Sequence, residues 1–261
     1  MTLQNKTALI TGSTSGIGLG IARKLASKGA SIVLNGFGDA KEIEAIRIAI
    51  ENDYKVKAFY LPADLSSEHG VDVLFERTQG FCDGFDIIVN NAGIQHVSPI
   101  ENFPAEKWQL IQDLMLSAPF HIIKRALPYM RKKSWGRIIN IASVHGKVAS
   151  VNKSAYVAAK HGLIGLSKVV ALETAQENIT CNSICPGWVL TPLVEKQVDL
   201  RAGKDGLSWD DAKNALLAEK QPSGEFAKPE EIGAIVSFLC SDDAAQITGS
   251  ELTIDGGWTA Q

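Results

Sequence analysis

Strand-like and helix-like segments alternate along the whole chain, and this alternation restricts the fold more than any other feature of the sequence. The strand-like segments are short apolar runs such as FDIIVN at 85–90, and the absence of polar alternation is typical of strands buried on both faces of a sheet. The pattern predicts an α/β fold of the doubly wound, Rossmann-like type: a mostly parallel seven-stranded sheet with helices on both faces. The predicted strands cover 6–11, 31–34, 57–61, 85–90, 136–142, 179–184 and 251–254. The predicted helices cover the stretch from the first glycine cluster to about 28, then 39–53, 67–80, 105–132 with an interruption expected near Pro119, 154–173 and 229–239, with shorter helical pieces in 189–225.

Composition limits the classes of function. The 261 residues are 45% hydrophobic and 21% charged, which is ordinary for a globular protein, and no composition shift divides 1–261 into more than one domain. The net charge of −3 and the absence of a basic run argue against a nucleic-acid partner. No apolar run reaches the ~20 residues of a membrane span, and the first residues lack a signal-peptide layout, so we expect a cytoplasmic protein without a membrane partner.

The four cysteines do not suggest a disulfide or a metal site. Cys181 and Cys185 lie in one strand-like run, about 13 Å apart, which is too far for either. The other two, Cys82 and Cys240, form no zinc-type pattern with them. We expect reduced thiols, mostly buried, and no metal ion.

A glycine cluster follows the first predicted strand and opens the first helix. The sequence TGSTSGIG at 11–18 has the spacing G-x-x-x-G-x-G, in the context that a dinucleotide site requires. Glycines let a pyrophosphate approach the backbone, and the N–H groups of the helix N-terminus attract its charge. The alternative is a glycine-rich turn without a ligand. We favour dinucleotide binding, with these residues in contact: Gly12, Ser13, Thr14, Gly16, Ile17 and Gly18.

The turn after the second strand bears on the choice between NAD and NADP. An acid there is typical of NAD sites, and a basic residue is typical of NADP sites. The turn 35–38 reads NGFG and contains neither, and the glycine loop has no Arg or Lys. The missing cation counts against NADP more strongly than the missing acid counts against NAD. We therefore predict NAD, with Phe37 beside it. Asp64 is a candidate for the adenine amino group, although an aspartate that caps a loop is nearly as good an explanation.

A serine, a tyrosine and a lysine are placed to form an acid/base centre. Ser143 follows the fifth strand, Tyr156 comes thirteen residues later, and Lys160 lies one helical turn beyond Tyr156. An ammonium beside a phenol stabilises the phenolate, so we expect the pKa of Tyr156 to be lowered. Such a centre suits carbonyl and alcohol chemistry. By itself, Tyr-x-x-x-Lys is also a common chance pattern on surface helices.

Four motifs in order make the chain similar to the short-chain dehydrogenase/reductase family over nearly its whole length. They are TGSTSGIG at 11–18, NNAG at 90–93, Ser143 with Tyr156-x-x-x-Lys160, and PGW at 186–188. The resemblance implies that Tyr156 is the acid/base, that Lys160 lowers its pKa and holds the nicotinamide ribose, and that Ser143 holds the substrate oxygen. It implies further cofactor contacts from Leu65, Asn91, Ala92, Gly93, Pro186, Gly187, Val189 and Thr191.

Within the family, segments such as SVHG, NKSAYVAAKHG and TPLVEKQ resemble the bacterial branch that oxidises D-3-hydroxybutyrate. That resemblance implies an NAD-dependent enzyme of ketone-body metabolism, a homotetramer, and a lid at 190–220 that closes over a short 3-hydroxy acid. Four polar residues match its carboxylate-binding set: Gln95, His145, Lys153 and Gln197. Individually, Lys153 also fits a solvated helix start and His145 a structural loop histidine. Trp188 and Trp258 are expected as an apolar wall, with ordinary core or interface packing as the alternative.

One position departs from the family pattern. Met115 stands where the family usually has a catalytic asparagine that holds a water beside the lysine. A thioether donates no hydrogen bond, so we expect a weakened proton relay with cofactor binding largely kept. Two alternatives remain open: a dehydrogenase of another short hydroxy acid or sugar-derived alcohol, and a nucleotide-binding protein without catalysis.

Overall fold

The computed structural model describes residues 2–78 and 80–261, and that part of the chain forms one seven-stranded sheet. Each neighbouring pair of its strands is parallel, in the order β3-β2-β1-β4-β5-β6-β7. The strands are β1 Thr7–Ile10, β2 Ser31–Leu34, β3 Ala58–Tyr60, β4 Ile87–Asn90, β5 Gly136–Ile141, β6 Ile179–Pro186 and β7 Glu251–Ile254. The predicted fold class is confirmed.

Helices connect the strands and cover both faces of the sheet. They are α1 Gly16–Ala26, α2 Ala40–Tyr54, α3 Glu68–Glu76, α4 Ala105–Gln112, α5 Ala118–Lys133, α6 Ser154–Glu173, α7 Pro192–Asp205, α8 Trp209–Ala218 and α9 Pro229–Leu239. The shorter helical pieces predicted in 189–225 are two regular α-helices, α7 and α8. The predicted end of the third helix, 77–80, is non-helical at 77, 78 and 80, and position 79 lies outside the described residues.

The period-two alternation of strand side chains divides the core into two layers. Ile10 and Val89 face α1 and α9, whereas Leu9 and Ile88 face α3, α5 and the end of α6. All four side chains are fully buried. Burial on both faces explains why strands such as β1 and β4 carry apolar side chains at successive positions.

The sequence predicts an interruption of the long helix near Pro119, and the structure has one just before that residue. A π-helical turn, Asp113–Ser117, joins α4 to α5, and Pro119 lies in the first turn of α5. The helical backbone runs on through Ser117 and Ala118, so the π turn changes the hydrogen-bond register just ahead of the proline. The irregularity therefore precedes the proline, and it contains Met115.

Helix α6 is long and apolar enough to cross a membrane by length and composition alone. In this structure it packs on the sheet, and Leu163 and Val170 are buried. We therefore interpret it as a core helix. The four cysteines are free thiols as expected, although Cys82 is only half-buried.

The strand order reverses between β1 and β4, and this places the functional cleft. Strand β1 pairs with β2 on one side and with β4 on the other. At such a switch point the loops that follow the two strands diverge and leave a crevice beyond their carboxyl ends. The glycine cluster and the NNAG segment are those two loops.

Candidate active site

The glycine cluster forms a close-packed turn at the switch point. Gly12 and Gly16 have positive φ angles of 62° and 52°, a conformation that favours glycine. A Cβ on Gly18 would lie 2.3 Å from the carbonyl oxygen of Gly12 and 2.6 Å from Nδ2 of Asn91. The Asn91 amide in turn donates to the carbonyls of Thr11 and Gly12. The turn therefore brings bare backbone and the N-terminus of α1 to the crevice, which fits a pyrophosphate.

Most of the predicted cofactor residues line this crevice. They are Gly12, Thr14, Gly16, Ile17, Phe37, Leu65, Asn91, Ala92, Gly93 and Thr191. Two others of the glycine cluster face inward instead. The Ser13 hydroxyl is fully buried and donates to the carbonyl of Ile10, and Gly18 is buried by its packing against Gly12. Both support the shape of the turn and leave its surface to their neighbours.

The adenosine end of the crevice is built mainly from backbone. The buried Asn35 amide donates to the carbonyls of Leu61 and Ala63, so this side chain holds β2 to the end of β3. Phe37 is 70% exposed at the rim. Asp64 is exposed, and its carboxylate accepts a hydrogen bond from the backbone N–H of Ser66. This hydrogen bond caps the loop. The contact of Asp64 with the adenine amino group stays a prediction.

The predicted acid/base residues meet beyond the end of β5. Ser143 precedes a short 3₁₀ turn, Val144–Gly146, and its hydroxyl accepts from the backbone N–H of His145. Tyr156 and Lys160 lie one turn apart in α6, with Nζ of Lys160 5.6 Å from the centroid of the Tyr156 ring. The Lys160 ammonium donates to the carbonyl of Ile141 at 2.6 Å. Ile141, the last residue of β5, thus holds Lys160 beside Tyr156.

The charge balance of this pair differs from our expectation. Burial raises the pKa of Tyr156 above its ordinary value, and a hydrogen bond with Ser143 opposes that rise. Burial also lowers the pKa of Lys160 to about 8. Our expectation that the pKa of Tyr156 is lowered is therefore wrong, because removal from water disfavours the phenolate and also lowers the pKa of the neighbouring lysine.

All eight predicted substrate residues line one cleft that adjoins the cofactor crevice. They are Gln95, Ser143, His145, Lys153, Tyr156, Trp188, Gln197 and Trp258. Four residues expected around the nicotinamide line it as well: Pro186, Gly187, Val189 and Thr191. The two cavities share Asn91 and Gly93, so a ligand in one can reach the other.

His145 and Lys153 give the cleft its polar character. The His145 ring packs edge-on against Tyr156 and Trp258, with centroids 5.9 and 5.5 Å away. Burial first, and Lys153 second, lower the pKa of His145 to about 4, so the ring is neutral near neutral pH. Burial lowers the pKa of Lys153, whose ammonium lies 5.6 Å from the Trp188 ring.

Two residues that the sequence analysis missed support the cleft from behind. The buried Gln221 accepts from the backbone N–H of Trp188 at 2.8 Å and packs against Gly187. The hydroxyl of Ser150 lies 2.8 Å from Nε2 of His145. Neither belongs to a short motif, so only the folded chain reveals them.

Met115 occupies the wall of the same cleft. It is 1% exposed and packs with Ile111, Ala155 and Ala159. A Cβ on Gly93 would lie 3.3 Å from its terminal methyl group. An apolar group therefore fills the place at which a polar relay residue was expected.

Comparisons with known proteins agree with this geometry. A family model described as Enoyl-(Acyl carrier protein) reductase, of the short-chain type, matches residues 12–259. The chain is 54% identical to a D-beta-hydroxybutyrate dehydrogenase of Cupriavidus necator, over 99% of this chain and 100% of that protein. The chain belongs to the short-chain dehydrogenase/reductase family. The resemblance inferred from the motifs is therefore confirmed.

Other members of the short-chain dehydrogenase/reductase family match over similar lengths. A D-beta-hydroxybutyrate dehydrogenase of Rhizobium meliloti is 51% identical, over 98% of this chain and 99% of that protein. The crystal structure of L-sorbose reductase from Gluconobacter frateurii, complexed with NADPH and L-sorbose, superimposes with a TM-score of 0.95 at 32% identity. That match covers 100% of this chain and 99% of the reductase. These matches place the chain in a family of oxidoreductases that use a pyridine nucleotide.

Proposed function

We propose that the protein oxidises D-3-hydroxybutyrate to acetoacetate, reversibly, with NAD as the hydride acceptor. The observation that carries this proposal is the meeting of the acid/base trio and the whole predicted carboxylate set in one cleft beside the glycine turn. The two relatives that are 54% and 51% identical support the choice of substrate through their names. The proposal places the enzyme in ketone-body metabolism.

NAD is favoured over NADP by the residues at the adenosine end. The turn 35–38 and the glycine loop 11–18 contain no Arg or Lys that could bind a 2′-phosphate. The Asn35 amide is already used by two backbone carbonyls. The space beside the ribose is instead formed by Gly36 and the exposed Phe37, which suit an uncharged hydroxyl.

The residues of the chain have distinct tasks in the proposed reaction. Nicotinamide, when bound, supplies the hydride acceptor. Tyr156 accepts the hydroxyl proton at its phenolic oxygen during oxidation and returns it during reduction. Ser143 holds the substrate oxygen, and Lys160 favours the phenolate by its charge. Lys153 supplies the positive charge for the substrate carboxylate, with Gln95 and Gln197 as neutral donors.

The decisive test follows NADH absorbance with D-3-hydroxybutyrate, its L isomer and glucose, and repeats the first substrate with NADP. Turnover of the D acid with NAD alone is the expected result. Turnover of glucose or of the L acid in preference would move the assignment to another short-chain dehydrogenase activity. NAD binding without turnover of any substrate would indicate a nucleotide-binding protein, for which Met115 would be the first explanation.

We also propose a homotetramer in the cytoplasm. Apolar side chains are exposed on two of the helices that cover one face of the sheet: Phe120 on α5 at 47%, and Val169 and Leu172 on α6 at 53% and 80%. Exposed apolar groups on adjacent helices are typical of subunit interfaces. Sedimentation equilibrium tests the assembly, and a monomer at micromolar concentration would contradict it. Fractionation of the source cells tests the location.

A further inference from the structure

The ammonium of Lys153 lies over the indole ring of Trp188, with Nζ 5.6 Å from the ring centroid. Both side chains line the cleft. We propose that Trp188 is a positioning residue whose aromatic face holds the Lys153 ammonium, by a cation–π interaction, where the substrate carboxylate binds. The role in substrate binding rests on the function proposed above, whereas the contact between the two side chains does not.

The Lys153 ammonium has no carboxylate partner in the part of the chain that the structure describes. Within residues 2–78 and 80–261, none of the ion pairs involves its Nζ. A lysine side chain is flexible, and holding it in one place costs rotamer freedom. The ring of Trp188 is therefore the group that can keep this half-buried charge in place.

Trp188, by contrast, is fixed from several sides. Its backbone N–H donates to the buried Gln221, and its backbone carbonyl accepts from the N–H of Ala227. Its ring lies 6.1 Å from the ring of Trp258 and packs against the apolar core that α7 and α8 form together. Because the ring is held independently of Lys153, it can orient the flexible lysine.

The ammonium meets the face of the indole and not its N–H group. Nε1 of Trp188 is buried and has no hydrogen-bond partner within the described chain. The face of an indole carries negative potential and attracts a cation more strongly than the other aromatic side chains do. This attraction favours the charged lysine, whereas burial lowers its pKa. An aliphatic side chain would provide an apolar wall without that attraction.

The contact is tested by placing tryptophans with one, two or three ring fluorines at position 188 of the intact protein. Fluorine withdraws charge from the ring face and changes the shape of the ring little. The pKa of Lys153 is followed by NMR of its ¹³Cε signal, which is assigned by its loss in Lys153→Gln. Because a weaker attraction disfavours the ammonium, this pKa should fall stepwise, by about half a unit to one unit in all. A constant pKa along the series would overturn the proposal, whatever the substrate is.

The control is the same series at Trp135, whose ring lies under Lys6 at the amino end of β5. It should leave the pKa of Lys153 unchanged, and an equal fall there would refute a direct contact with Trp188. The other titratable groups of the cleft are the same in every protein of the two series. His145 titrates near pH 4, Lys160 near pH 8, and Tyr156 above pH 10.

Kinetics test the consequence for substrate binding. KM for D-3-hydroxybutyrate should rise along the Trp188 series, about 3- to 10-fold in all, with kcat and the Kd for NAD unchanged. In a Lys153→Gln background the series should have no effect, because the ammonium is gone. A rise in KM that persists there would refute action through Lys153. A wild type that oxidises no hydroxy acid would refute the proposed function, and the pKa series would still decide the contact.

Discussion

Substitution of Lys160 by methionine should reveal how much stability the buried ammonium costs. Lys160 is 4% exposed, and its pKa is lowered from 10.5 to about 8 by burial. One pKa unit corresponds to about 1.4 kcal/mol, so the charged side chain lowers the free energy of unfolding by about 3 kcal/mol near neutral pH. Methionine keeps most of the apolar stem and removes the charge.

The substitution also removes a hydrogen bond, and pH separates the two effects. The carbonyl of Ile141 loses its donor, at a cost of about 1–3 kcal/mol that does not depend on pH. Between pH about 8 and 10.5 the unfolded lysine holds its proton while the native lysine has released it, so the wild type gains stability as pH rises. Relative to the wild type, Lys160→Met should therefore lose about 2 kcal/mol between about pH 7 and pH 9.5.

Urea unfolding at a fixed protomer concentration measures this difference. Both proteins are unfolded at several pH values in that window, and the difference in the free energy of unfolding is plotted against pH. Tyr156 contributes little here because its pKa is raised above 10. Lys132→Met, which removes an exposed lysine of α5, should show no comparable slope. A difference for Lys160→Met that stays flat with pH would refute the reasoning.

Three further substitutions test the site. Met115→Asn should raise kcat, by less than the roughly 10²–10⁴-fold that a full acid/base step contributes. Met115→Leu is the neutral control. An unchanged kcat, with chemistry shown to be rate-limiting, would contradict the expectation that Met115 weakens the proton relay. Gly18→Ala should raise the Kd for NAD by at least about tenfold in calorimetry, because its Cβ would lie 2.3 Å from the Gly12 carbonyl. Gly165→Ala, where a Cβ meets nothing within 4 Å, should leave that Kd unchanged. Lys153→Gln should raise KM for D-3-hydroxybutyrate about 10- to 100-fold without changing the Kd for NAD, since one charge-assisted bond is lost; an unchanged KM would remove Lys153 from the carboxylate site.

The sequence predicts the elements well where one physical signal dominates. Helix α6 has its predicted bounds, 154–173, because a continuous apolar pattern begins and ends there. Strands β2 and β7 also have their predicted bounds. The expected interruption near Pro119 is present as a π-helical turn that ends two residues before the proline, where the hydrogen-bond register of the helix changes. A π-helical turn alters that register and leaves no trace in apolar spacing.

The candidate site divides in a similar way. The family resemblance that the motifs carry is what predicts that residues as distant as Gln95 and Trp258 belong to one site, and in the structure both line the same cleft. The support of His145 by Ser150 and of Trp188 by Gln221 depends on side chains that meet only after folding. The direction of the Tyr156 pKa shift depends on burial, which short spacings do not encode.

Burial gives the acid/base pair a charge state that favours one direction of proton transfer. The same packing that holds Lys160 at 4% exposure raises the pKa of Tyr156 and brings the pKa of Lys160 to about 8. Near neutral pH the cleft therefore holds a neutral phenol beside a lysine that is close to losing its charge. In the proposed reaction this state suits reduction, in which Tyr156 donates a proton, whereas oxidation uses the phenolate. The initial rate of oxidation should therefore rise more steeply with pH than the rate of reduction.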